Sequence, residues 1–257
     1  MTGTTVGSLQ IVGAAFFSTC HASAQDVLAG RERPFTAPAC GLLVGRARRF
    51  TSLVTQMHIE VCGSLQTDAA DPPVAVFATC HGEIQTAERL IADFRDSSMV
   101  SSARFALSVH NTPSGVYSVA TGNTAPTTTI TGANAIAAGW LEASLTALDG
   151  KRSVLLSLAD EPVPPAFHGP DEPAGVAAAF LVRAGAPGGR SVALAVAPSA
   201  DSAEVNPLEV LARVANAWAS GEPARIALGE IQPGATLELR FAAQALRAPP
   251  AAREASA

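Results

Sequence analysis

The chain has 257 residues and a mass of 26.1 kDa, with 48% hydrophobic and 15% charged residues and a formal net charge of −5. That length suffices for one substantial core, or at most two small domains, and the apolar content excludes disorder over most of it. The acidic balance, with a pI near 5.5, argues against a nucleic-acid surface, and no apolar run reaches the ~18 residues of a membrane span.

The chain-order reading begins with a choice. Leu9–Phe17 is apolar and Ala22-Ser23-Ala24 has the form of a leader cleavage site, but residues 1–8 carry no Lys or Arg, as a leader would require. A buried first strand over Ser8–Ala15 is therefore expected, followed by a helix from about Ser23 with Asp26 in its first turn, in a cytoplasmic protein. Residues 31–50 read as loop, with Pro34, Pro38 and the basic group Arg46, Arg48 and Arg49. A helix over Thr51–Leu65 ends before the turn cluster Asp68–Pro73. Val74–Ala78, all apolar between turn signals, predicts a strand buried on both faces. Gly82–Phe94 predicts a helix with Ile84, Leu90, Ile91 and Phe94 on one face.

Ser108-Val-His-Asn111 leads into a helix to Thr121, which Ser108 or Asn111 would cap. The β-branched run Thr127–Thr131 predicts a strand, and Asn134–Leu148, alanine-rich and nearly uncharged, predicts a buried helix. A buried strand-turn-helix is where α/β enzymes commonly set a nucleophile, because the helix N-terminus stabilises an anion. Further on, Val176–Val182 and Ser191–Ala197 read as a hairpin joined through the turn Gly185–Arg190. Asn206–Trp218 then predicts an amphipathic helix with Pro207 in its first turn, and residues 248–257 a disordered tail. The alternation of strands and helices predicts an α/β sheet covered on both faces.

Several groups carry possible chemistry. The cysteines Cys20, Cys40, Cys62 and Cys80 lie about 20 residues apart with no CxxC pair, a pattern of isolated buried thiols. Cys20-His21 and Cys80-His81 would make a four-ligand metal site only if the fold joined them, so no metal or other cofactor is expected. Cys80-His81 and Ser108–His110 are the candidate nucleophile–base pairs, although no GxSxG elbow surrounds the serine. Asp160-Glu161-Pro162 and Asp171-Glu172-Pro173 abut proline in turn-rich segments and read as solvated loop charge.

Phe77-Ala-Thr-Cys-His-Gly-Glu83, Ser108-Val-His-Asn111, Tyr117–Pro126 and the alanine-rich helix together resemble the β-ketoacyl synthase-like N-terminal domain family. Members are short relatives of condensing enzymes from aryl-polyene and type II polyketide systems, and the resemblance covers residues 8–183. It implies half of a thiolase-like fold, a mixed five-stranded sheet with helices on both faces plus a C-terminal hairpin and helix, as one domain over residues 1–247. It also implies that Asn134 stands where active relatives hold their cysteine, and an amide cannot carry an acyl chain. Their two histidines come from a C-terminal half for which this chain is too short. The function so implied is that of a non-catalytic, chain-length-factor-like partner of a full-length ketosynthase. It would dock through the edge strand with Thr129 and Thr131, while His81, Ile84 and Phe105 line the pocket or interface and an acyl carrier protein is a possible further partner. An independent acyl-thioester hydrolase or transferase using Cys80-His81 or Ser108–His110, and a homodimeric scaffold, are the alternatives; His81 and His110 are then the candidate bases.

Overall fold

The strands and helices predicted within the described residues form, and caps mark several of their ends; residues 31–50, read as loop, close on a short helix over Arg46–Phe50. The computed structural model describes residues 4–150, 152–167, 174–185, 191–199 and 206–242. In chain order it contains β1 (Thr4–Ser18), α1 (Ala24–Leu28), α2 (Arg46–Phe50), α3 (Leu53–Gly63), β2 (Val74–Thr79), α4 (Ile84–Ser97), α5 (Ser102–Phe105) and α6 (Thr112–Thr121). There follow β3 (Thr127–Thr131), α7 (Ala135–Gly150), β4 (Val154–Asp160), β5 (Val176–Ala184), β6 (Ser191–Pro198), α8 (Pro207–Ser220), β7 (Ala224–Gln232) and β8 (Ala235–Phe241). Ser23, Ser52 and Asn206 accept from backbone N–H groups in the first turns of α1, α3 and α8. Asn111 precedes α6 but makes no side-chain cap, and Ser108 Oγ donates instead to Phe105 O, so neither residue expected to cap this helix does so. Gly122 and Gly221 take left-handed conformations that end α6 and α8.

The strands form one sheet in the order β3-β2-β4-β5-β1-β6-β8-β7. Strands β2, β3 and β4 are mutually parallel, and every other pairing is antiparallel. The sheet is thus α/β and mixed, as expected, but has eight strands where five were expected. Its extent follows from β1, which is 15 residues long. Residues Leu9–Ser18 pair with β5, while Thr4–Gln10 pair with β6 on the opposite side. The hairpin expected from β5 and β6 therefore does not exist: β1 lies between them, and its N-terminal half offers β6 an edge that β5 does not reach. The hairpin that does form is β7–β8, closed by the Pro233-Gly234 turn with Gly234 at φ +78°. Its alternation in Ala235-Thr-Leu-Glu-Leu-Arg-Phe241 was legible but lay beyond the resemblance. The expected tail falls outside the described residues.

Alternation along the central strands divides the core into two. Val76, Ala78, Leu156, Leu158, Ala178 and Phe180 face α7 and α8, together with Trp140, Ala143, Leu211 and Val214. Ala75, Phe77, Leu155, Ala159, Ala177 and Ala179 face α3 and α6, against Val54, Met57, Val61 and Tyr117. A strand covered on both faces has no polar position to spare, which accounts for the uninterrupted apolar run at 74–78. Helix α7 approaches the sheet closely: a Cβ added at Gly139 would lie 2.8 Å from Ala78 Cβ.

One polar pair is sealed inside the second cluster. His58 Nδ1 bonds Ser157 Oγ at 2.8 Å beside the Phe77 ring, and its Nε2 has no partner. Burial pushes the imidazole down to about 3, so it stays neutral in the folded protein.

Two outcomes follow. Gly139→Ala gains helix propensity but forces α7 away from β2, so chemical denaturation should show a net loss of about 1–3 kcal/mol, relieved in part by Ala78→Gly. Below pH 6.5 the unfolded chain takes up a proton at His58 that the folded chain refuses, so this residue's contribution falls as pH drops towards 3. The stability difference between wild type and His58→Gln should therefore shift against the wild type by about 2 kcal/mol between pH 7 and pH 5, read from paired urea titrations.

Candidate functional site

Because β2, β3 and β4 run parallel, their C-terminal ends share one rim of the sheet, carrying Thr79–Cys80, Thr131–Gly132 and Asp160–Glu161. In open α/β sheets this is the rim where loops carry ligand-binding and catalytic groups. The antiparallel strands reach it too, since Asp160 pairs with Val176 and Val176 with Ser18.

The rim is organised by carboxylates that were expected to be solvated. Asp160 and Glu161 are buried, which corrects that expectation. Asp160 Oδ1 accepts from Thr79 Oγ1 at 2.9 Å, Cys80 N at 2.8 Å and His81 N at 3.0 Å, fixing the turn after β2. Gly82 completes that turn at φ +62°, its N–H donating to Thr79 Oγ1. Glu161 accepts from Val54 N at 3.2 Å and from Gln85 N at 2.9 Å, in the first turns of α3 and α4. Glu83 accepts from Ser52 Oγ, Thr55 Oγ1 and Thr86 Oγ1 at the same two helix starts. Anions at helix N-termini are favourable, which is why these charges tolerate burial. Burial nevertheless dominates and raises all three carboxyls, Glu161 to about 7. The sequence signal was their position: Asp160 and Glu161 directly follow an all-apolar strand and therefore sit at its buried end. Asp171 and Glu172 lie outside the described residues.

Cys80 sits beside this carboxylate and against the start of α7. Burial and the neighbouring Asp160 push its thiol up, offset only partly by the Ala135 N–H. A thiol held protonated at neutral pH is a poor nucleophile. The adjacent His81 is exposed, tied to Asp160 through its backbone N–H. His110 is also exposed and stands over Gly82, whose added Cβ would meet His110 Cβ at 3.5 Å. Ser108 bonds Phe105 O rather than His110. Asn134 is exposed at the foot of α7, its carbonyl accepting from Ala138 N. The structure also forms a pair that sequence reading missed, Ser18 Oγ with His21 Nδ1 at 3.1 Å, with both residues buried. Three-residue spacing at a strand end was its only signal. Among the described residues no group of three or more His, Cys, Asp or Glu is arranged to hold a metal ion, so Cys20-His21 and Cys80-His81 do not form one.

The remaining candidates lie beyond the rim. Thr131 is exposed and Thr129 half-buried on the edge strand β3, with Thr129 Oγ1 donating to Ser114 Oγ. Ile84 opens α4 half-buried, whereas Phe105 is 61% exposed. Phe94, Met99 and Val109 are also exposed between α4 and α6. Among the described residues no helix is long and apolar enough to cross a membrane.

Comparisons with known proteins bear on this arrangement. The fold is similar to that of a chain in a complex of a ketosynthase (ApeO) with its chain length factor (ApeC) from Xenorhabdus doucetiae, with a TM-score of 0.71 at 17% identity over 91% of this chain and 99% of that one. A β-ketoacyl synthase from Burkholderia phymatum STM815 gives a TM-score of 0.54 at 12% identity, over 77% of this chain and 66% of that one. The ishigamide ketosynthase/chain length factor gives 0.50 at 12% identity, over 84% and 70%. No curated protein matches the sequence. The family model for the N-terminal domain of β-ketoacyl synthases matches residues 23–223, most of the chain, and the protein belongs to that family.

Proposed function

We propose that this chain is a chain-length-factor-like partner of a ketosynthase that does not condense acyl groups on its own. The observation that carries this reading is the start of α7. Asn134 stands there, an amide that cannot form a thioester, and the nearest thiol, Cys80, is held protonated beside Asp160. What such a chain can supply is a surface and a wall for an acyl pocket, with His81, Ile84 and Phe105 as its contributions.

The docking edge is β3. The sheet has two edges, and they are not alike. Strand β7 carries Arg225 and Glu230 and is irregular at Ala227/Gly229 and Glu230/Gln232, features that discourage strand addition. Strand β3 is uncharged and regular. Ala75 N donates to Pro126 O and Gly132 N to Thr79 O, so the parallel ladder turns the even-numbered N–H groups of β3 inward. The N–H groups of Thr127, Thr129 and Thr131 face outward, free to pair with another strand. An acyl carrier protein as a further partner is supported by the segment 31–50, which holds five arginines against one acidic residue in a chain of net charge −5. That local charge suits an anionic protein surface.

Co-expression with the cognate ketosynthase should give a heterodimer on size-exclusion chromatography. Thr129→Pro removes one outward N–H without touching the ladder to β2, and should weaken that complex at least ten-fold while leaving the circular dichroism unchanged. A chain that never co-elutes, or that elutes only as its own dimer, would overturn the heterodimer reading. Incubation with acyl-carrier thioesters should leave the intact mass unaltered at neutral pH; an adduct on Cys80 or Ser108 would instead establish an acyl-thioester enzyme.

A further inference from the structure

The segment between β2 and α6 leaves the sheet and returns to the same place. Gly82 opens it at φ +62° and His110 closes it, 3.5 Å from where a Cβ on Gly82 would lie. Between them α4 and α5 are joined by the Asp93–Arg104 ion pair at 2.7 Å. Of the 14 residues of α4 only Thr86 and Leu90 are buried, both in its first half, and residues 91–97 project into solvent. The arm is therefore held at its base, and the base is the pair Glu83 and Glu161.

Those two side chains form the joint. Glu161 bridges the backbone of α3 and α4 through Val54 N and Gln85 N, and Glu83 bridges the same helices through Ser52, Thr55 and Thr86. Gln85 Nε2 adds a bond to Pro162 O. From α4 the joint also faces the cation Arg89, which is exposed, while the neighbouring Asp160 turns instead to Thr79, Cys80 and His81. Two buried carboxyl groups lie close enough to repel each other, and among the described residues the cation that faces them, Arg89, is exposed.

We propose that the Glu83–Glu161 pair is a proton-operated latch on the 84–109 arm, holding the arm to α3 when the pair carries a proton and loosening it when both groups are ionised. The inference rests on the joint alone and requires no partner, so it can fail while the ketosynthase reading stands, and the reverse.

The sign follows from burial. Burial above all, with the Glu83 charge contributing, holds the Glu161 carboxyl at about 7 in the latched arm, against 4.5 for a solvated glutamate. The latched state therefore binds a proton that the loosened state releases. Its advantage is fully present below pH 4.5 and declines roughly five- to seven-fold per pH unit between pH 5 and 7. The arm carries exposed Ile91, Phe94, Met99 and Phe105, so its pose decides how that apolar surface is presented.

Hydrogen exchange measured by mass spectrometry on the full chain between pH 5.0 and 7.5, corrected for intrinsic exchange rates, tests the latch. Protection of amides 87–97 should fall roughly forty-fold from pH 5 to 7, while amides of β4 and β5 keep theirs. Glu161→Gln should reduce that change below about three-fold. Glu83→Gln removes the like charge and should shrink it as well, which serves if Glu161→Gln does not fold. Protection of α4 that is independent of pH in the wild type, a dependence that survives in both variants, or an equal loss in β4 and β5 would each overturn the proposal.

Discussion

The constraint on which the rest of the structure depends is that β2, β4 and β5 are buried on both faces. Once these strands carry no polar side, helices must lie above and below them, and every backbone polar group at the strand ends must be satisfied at the rim or within the helix starts. The two packed layers meet this demand differently. Helix α7 lies close because Gly139 presents no side chain to Ala78. On the other face His58 of α3 spends one ring nitrogen on Ser157 of β4 and keeps the other without a partner, which burial permits only in the neutral form.

The carboxylates at the rim are the second consequence. A parallel strand that ends inside the protein leaves N–H groups in the following turn, and a helix beginning beside it leaves several more. Asp160 meets the donors of the turn after β2, while Glu161 and Glu83 meet those of α3 and α4. Three acidic side chains thus act as connectors between elements far apart in sequence. The same arrangement explains why the Cys80 thiol is pushed up. A thiol that shares its surroundings with a buried carboxylate has no cation to stabilise its thiolate, and the helix start above it offsets only part of that cost.

Most elements were legible because their cause is local. The apolar run at 74–78, the threonines of β3, the alanine-rich α7 and Ser23 and Asn206 as caps each carry their reason within a few residues. What was misread depended on partners distant in the chain. The 176–198 region has the composition of a hairpin, yet β1 intervenes between its strands, because pairing is decided by which edges are available. Asp160 and Glu161 beside Pro162 look like loop charge, and become buried connectors because distant donors turn towards them, Cys80 and His81 N–H groups to Asp160 and those of Val54 and Gln85 to Glu161. The Ser18–His21 pair has no counterpart in any motif.

By itself, the sequence determined the α/β class, the order and limits of most elements and the presence of an amide at the start of α7, since these follow from periodicity, capping and residue identity. Only the tertiary structure decided the eight-stranded order, the contrast between a plain edge at β3 and an irregular one at β7, and the burial of Glu83, Asp160 and Glu161. Each of these depends on which distant groups meet, and hydrophobic pattern along a chain carries no information about the charge, edge or donor that will face it after folding.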